Sequence, residues 1–177
     1  RNGNTTQGTF TPYGSNWSNY LNGNNLSTAS SSAFNCAADF TLEAWIFPTA
    51  AWAGSGSFNP ILFVSGTGLY FGQNSAGFGL RQSATANIIS YATSPTVNVW
   101  THVAIVRSGS TITMYYNGTS VATATSSATF STGTGTIASD GSYAYTGYVS
   151  NLRLVKATAV YTSSFTPSTT PLTAITN

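Results

Sequence analysis

The sequence predicts an all-β fold, a two-sheet antiparallel sandwich, and three observations carry that expectation. No segment sustains a helical period, Gly and Asn punctuate the chain every ten residues or so, and the runs between them alternate or are β-branched and aromatic. At 177 residues the chain has the size of one domain, so residues 1–177 are expected to form a single sandwich. The stretches 1–16 and 162–177 are rich in Thr, Asn and Pro with few apolar anchors. Two readings stand for them: extended arms that lie along the sandwich or reach a neighbour, and ordinary ordered termini of a jelly roll.

Taken in order, the first legible strand is Phe40-Thr41-Leu42-Glu43-Ala44-Trp45-Ile46-Phe47. Phe40, Leu42, Ala44 and Ile46 share one face, and Thr41, Glu43, Trp45 and Phe47 share the other. Pro48 ends the run because it offers no ladder donor. Short strands follow at 61–65, 69–72, 78–82 and 88–92, each bounded by turn residues. The strand from Trp100 to Arg107 turns at Ser108-Gly109-Ser110 and returns through Thr111 to Tyr116. Asn117-Gly118 then predicts a type I′ turn, because both residues tolerate positive φ. A strand from Val121 to Thr125 closes the meander, residues 126–135 read as a loop, and the last strong strand runs from Gly147 to Val155.

Charge is scarce. Only 5% of residues are charged, against roughly 25% in an ordinary soluble protein, so hydroxyls and amides must solvate the surface. Such a surface resists packing against its own copies only weakly, and a homo-oligomer is the expected assembly. The 41% hydrophobic and 14% aromatic content argues against disorder. Arg1, Arg81, Arg107, Arg153 and Lys156 are scattered along the chain, which argues against a nucleic-acid partner. No run of 18 apolar residues is present, so no membrane span is expected. The opening Arg1-Asn2-Gly3-Asn4 reads as a processed end or an excised segment. Cys36 stands alone and reads as a small buried hydrophobe. The sequons at Asn4, Asn16, Asn25 and Asn117 are what so Asn- and Thr-rich a chain produces by chance.

Several stretches resemble one family. Trp17-Ser18-Asn19-Tyr20-Leu21-Asn22-Gly23, with Asp39-Phe40-Thr41-Leu42-Glu43-Ala44-Trp45-Ile46-Phe47-Pro48, is similar to the opening of laminin-G-like, concanavalin A-like jelly rolls. Val99-Trp100-Thr101-His102-Val103-Ala104 with Met114-Tyr115-Tyr116-Asn117-Gly118 resembles their central hairpins, and Gly147 to Lys156 their closing strand. The stretches from Asn4 to Pro12 and from Ala157 to Thr176 resemble a variant common in bacteriophage structural proteins, marine phages included. The resemblance implies a jelly-roll sandwich that binds glycans or protein partners through loops or a concave sheet, sometimes with calcium. It also implies a setting on a virion surface or outside the cell, with a host surface or other virion subunits as partners. One fold hosts many functions, so the residues themselves must carry the choice.

Hydrolysis of a glycosidic bond needs two placed carboxylates, and Asp39, Glu43 and Asp140 are the only acids. Glu43 is followed by Trp45 and Phe47 where related hydrolases carry further acids at alternate positions. No catalysis is expected, and Glu43 is read as an acceptor of structural hydrogen bonds. His102 is read as a packed, hydrogen-bonded histidine, and Trp45, Trp100 and Tyr115 as core or sheet-face residues. Sugar binding calls for an aromatic face ringed by neutral hydrogen-bonding groups. The candidates are Trp52, in a loop of Ala, Gly and Ser, and Tyr143 with Tyr145 in the loop after Asp140. Asp140 itself is a candidate calcium ligand, set against an Asx turn at Asp140-Gly141. Three readings stand: a non-catalytic recognition module of tail-fibre or capsid-decoration type that binds carbohydrate for host attachment, a self-assembling subunit of an extracellular filament or surface layer, and, least favoured, a glycoside hydrolase.

Overall fold

A computed structural model describes residues 6–14, 17–52, 58–66, 68–74, 77–83 and 86–175. Among these, the strands are β1 (Thr6–Gly8), β2 (Ser18–Asn22), β3 (Leu26–Ser31), β4 (Phe40–Pro48), β5 (Asn59–Val64), β6 (Leu69–Asn74), β7 (Gly77–Arg81), β8 (Asn87–Tyr91), β9 (Thr101–Ser108), β10 (Thr111–Tyr116), β11 (Thr119–Thr125), β12 (Gly133–Ile137) and β13 (Thr146–Lys156). One 3₁₀ turn, Ser32–Phe34, is the only helical element among the described residues. The strands form two antiparallel sheets, ordered β1-β2-β13-β4-β9-β10-β11 and β3-β12-β5-β6-β7-β8. That is the sandwich expected from the alternating runs.

The alternation in β4 sets the core. Phe40, Leu42, Ala44 and Ile46 are fully buried and belong to one apolar cluster with Phe71, Phe78 and Leu80 of the opposite sheet. Cys36 is fully buried in the same cluster, and burial pushes its thiol up to about 11. The expected I′ turn is present, with Asn117 at φ 47° and Gly118 at φ 79°. The Asn117 N–H donates to the His102 carbonyl at 2.8 Å and the Asn117 side chain accepts from the His102 N–H at 2.9 Å, which ties the turn back to β9.

One stretch differs from expectation. Residues 133–137, read as largely loop, form β12, paired on both sides by β3 and β5. The glycines there mark close packing rather than freedom. A Cβ on Gly135 would meet the Phe34 ring at 2.4 Å, and one on Gly133 would meet the Ser65 carbonyl oxygen at 2.1 Å. The Ser-rich β3 also escaped notice, because as an exposed edge strand it carries no apolar face.

The N-terminal stretch adds β1 to the edge of the seven-stranded sheet, and parts of both terminal stretches then fold back on its outer face. Phe10 lies against Phe47 and Tyr148, with ring centroids 4.8 Å away in each case. After β13 the chain crosses β4, where Thr41 Oγ1 donates to the Thr158 carbonyl at 3.0 Å and accepts from the Val160 N–H at 2.9 Å. Tyr161 and Phe165 then stack at 3.5 Å, and Phe165 packs on Tyr115. Together with Ala104, Val106 and Ala159 they make a second small core outside the sheet. The Phe165 N–H donates to the Gly118 carbonyl at 3.0 Å.

Gly118 is where this strap touches the hairpin, and a Cβ there would meet the Phe165 carbonyl oxygen at 1.7 Å. Gly118→Ala is therefore expected to destabilise the fold by about 1–3 kcal/mol. Limited proteolysis should then cut first within the tail after β13. Cleavage at the wild-type rate would show that the strap does not depend on this contact.

Candidate functional site

The polar centre of the molecule is Glu43 on β4, fully buried on the outer face of the seven-stranded sheet. Register places Arg153 of β13 on one side of it and Ala104 of β9 on the other. Its Oε1 accepts from Arg153 through Nε at 2.8 Å and through Nη2. Its Oε2 accepts from the Tyr161 hydroxyl at 2.8 Å and pairs with His102 Nε2 at 3.1 Å. His102 Nδ1 has no hydrogen-bond partner. Burial alone raises the Glu43 pKa, but the hydrogen bonds from His102, Arg153 and Tyr161 and the Arg153 charge outweigh it and hold the carboxyl below its ordinary value. Tyr161 is pushed up, by burial first and by the Glu43 charge second. Glu43 and His102 thus take the hydrogen-bonded structural roles expected of them.

The rim loop differs from expectation in two of its aromatics. Tyr145 is 1% exposed, its ring 5.6 Å from Trp52 and its hydroxyl donating to the Tyr148 carbonyl at 3.1 Å. Trp52 is half-buried, edge-on to Phe78 at 6.0 Å, and its Nε1 donates to the Pro95 carbonyl at 2.9 Å. Both rings plug the end of the sandwich and are not the exposed platforms anticipated; of the Trp52 loop, residues 53–57 lie outside the described residues. Tyr143 is 41% exposed. Asp140 Oδ1 accepts from the N–H groups of Ser142 and Tyr143 at 2.9 and 2.8 Å, which is an Asx turn. Calcium needs six to eight oxygens, commonly several from carboxylates, and no group of three or more His, Cys, Asp or Glu residues occurs among the described residues. Among the described residues, Asp140 stands as the one carboxylate of this loop, its Oδ1 engaged in the turn.

A cleft not foreseen from the sequence opens at the edge between the sheets. Trp17, 58% exposed, is the most exposed of the large apolar side chains among the described residues. Its carbonyl is held by the Ser150 hydroxyl at 2.8 Å. Beside it lies a cleft of about 250 Å³ walled by Asn19, Ser150, Asn151, Leu152 and Ile137. The β13 residues that wall it lie at an irregularity, where the register on β4 shifts between Ser150 and Arg153. Asn151 absorbs the bulge at φ 49°, a conformation Asn tolerates better than most residues. Its Nδ2 is buried and has no hydrogen-bond partner in the protein. The one signal in the sequence was a Trp set among Asn16, Ser18 and Asn19.

A family model described as the concanavalin A-like lectin/glucanases superfamily, of laminin-G type, matches residues 8–161. The chain belongs to this superfamily. Among solved structures it is similar to domain 4 of an extracellular arabinanase from Geobacillus stearothermophilus, in complex with arabinotriose, at 13% identity and TM-score 0.71, covering 86% of this chain and 75% of that one. It is similar to a carbohydrate-binding module from Bacillus subtilis at 19% identity and TM-score 0.50, covering 87% and 93%. A heptameric pentraxin from Limulus polyphemus aligns at 20% identity and TM-score 0.52, covering 73% and 68%. These likenesses show a shared fold. No curated protein sequence matches the chain.

The concanavalin A-like fold is used by binding modules and glycoside hydrolases alike, so the carboxylates matter. Glu43 is sealed by its donors, and Asp39 Oδ1 accepts from the Gly109 N–H at 2.7 Å. Asp39 precedes the first residue of β4, while the Asp140 loop returns beside its far end, where the Thr49 N–H donates to the Thr146 carbonyl. A nine-residue strand separates them by about 27 Å, against the roughly 5–9.5 Å that glycosidases use.

Glu43→Gln should lower stability by about 3 kcal/mol, because it leaves the Arg153 guanidinium without its counter-charge. The pH dependence has a fixed sign. The folded carboxyl titrates below the unfolded one, so its stabilisation is complete above the ordinary Glu range and is lost as pH falls through the folded value. Melting temperature should therefore drop on acidification below about pH 4, with a shallower drop in Glu43→Gln. Equal acid slopes in the two proteins would contradict the role given to Glu43.

Proposed function

We propose that this protein is a non-catalytic carbohydrate-recognition module whose ligand site is the edge cleft at Trp17. The exposed indole of Trp17 beside an amide-lined cleft carries the reading. Stacking of a pyranose or furanose ring needs a free aromatic face, and its hydroxyls need neutral donors and acceptors nearby. Asn19 and Asn151 line the cleft, and no charged side chain does, which suits an uncharged glycan. The occupied or widely separated carboxylates favour binding over hydrolysis. The arabinotriose complex and the carbohydrate-binding module among the similar folds point the same way. Tyr143 is a secondary contact on the rim.

The setting proposed is a virion or other extracellular surface, with host attachment as the purpose. Two observations support it: the sparse charge, and the resemblance of the terminal stretches to phage structural proteins. The described parts of both arms are engaged on their own sheet, so the self-assembling filament draws no support from them.

Titration calorimetry with neutral arabino-, gluco- and galacto-oligosaccharides tests the site. Trp17→Ala should weaken binding at least tenfold, an effect of about 1.4 kcal/mol, while Tyr143→Ala should change it by less than about threefold. Binding indifferent to Trp17→Ala, or abolished by Tyr143→Ala alone, would move the site to the rim. Release of reducing sugar by the wild-type protein would overturn the non-catalytic reading.

A further inference from the structure

The Trp17 cleft does not end at Leu152. Ile137 and Leu152 also line a second, largely apolar groove of about 180 Å³, completed by Phe34, Leu62, Leu154 and Gly135. The groove runs between β12 and β13 at the edge of the sandwich. It lies on the side of β13 where β2 stops, since β2 pairs only with residues 146–149. Leu152, carried on the bulge, is the partition common to the polar cleft and the apolar groove.

Resting on the carbohydrate reading of the Trp17 cleft, we infer that the ligand is a glycan carrying an apolar substituent or aglycone, with the sugar ring on Trp17 and the apolar group beyond Leu152. The two compartments differ in chemistry in the way such a ligand does. One side offers an indole and two amides; the other offers Phe34, Leu62, Ile137 and Leu154. A cavity of about 150 Å³ lined by Leu, Ile and Phe is enough to take a benzene ring, so about 180 Å³ accommodates an aryl group or a short acyl chain. A bare neutral sugar uses the first compartment only and leaves the second to water.

Binding of paired methyl and phenyl β-glycosides of glucose, galactose and arabinose, followed by Trp fluorescence and calorimetry, tests the inference. The phenyl member of the best-bound pair should bind fivefold or more tightly than the methyl member. That ratio should collapse toward one in Thr28→Phe, which fills the groove from the exposed edge strand, and in Phe34→Ala, which removes one apolar wall, each confirmed as folded by its melting curve. A wild-type ratio below fivefold, with binding still lost in Trp17→Ala, overturns this inference and leaves the carbohydrate site intact. A ratio that survives in both variants also overturns it, because the discrimination then lies elsewhere. No binding of any glycoside overturns the carbohydrate reading, and this inference with it.

Discussion

A buried carboxylate must be met by donors on all its lone pairs, and Glu43 organises this structure because it is met on both oxygens. The donors come from β9, β13 and the C-terminal strap, so a single side chain fixes two strand neighbours and the covering segment together. Without Tyr161 and the apolar pair it forms with Phe165, the outer face of the seven-stranded sheet would expose Tyr115, Ala104 and the carboxylate to water. The strap is long and irregular, yet it is held by a buried charge at its near end and by Arg153 Nη1 on the Thr173 carbonyl at its far end.

Roofing that face decides where recognition can occur. The strap covers the middle of the sheet, and Phe10 lies over the aromatic patch formed by Phe47, Trp100 and Tyr148. What stays open is the edge beside β13, where Arg153 must turn in to reach Glu43 and the strand bulges just before it. The bulge lies between the Arg153 that meets the acid and the Ser150 of the cleft, and Asn151 within it walls the cleft. Arg153 of the buried ion pair therefore directly follows Asn151 and Leu152, which wall the proposed site.

Much of this was legible in the residues, and the exceptions have physical reasons. The alternation from Phe40 to Phe47 located the core face, the Asn117-Gly118 pair located the hairpin, and the absence of acids at alternate positions after Glu43 argued for its structural role. β12 was illegible because its pattern is Gly and Thr, selected for clearance under Phe34 and beside Ser65 rather than for an apolar face. Trp52 and Tyr145 were misplaced because small, polar neighbours in sequence say nothing of a chain that turns inward, where their rings meet and Trp52 finds the Pro95 carbonyl. Trp17 sat inside a stretch that resembles an opening strand, and its carbonyl is held by Ser150 at the β13 bulge, 133 residues later. No local pattern encodes a contact of that range.

The most direct measurement of the central claim is a titration of the isotopically labelled protein with a neutral oligosaccharide that binds it, followed by amide and indole NMR shifts. The largest changes should fall on the Trp17 indole, the side-chain amide of Asn19, and the backbone of the β13 bulge, with Tyr161 and Phe165 unmoved. Changes concentrated on the strap and the Glu43 face, or on Tyr143 and the rim, would contradict it.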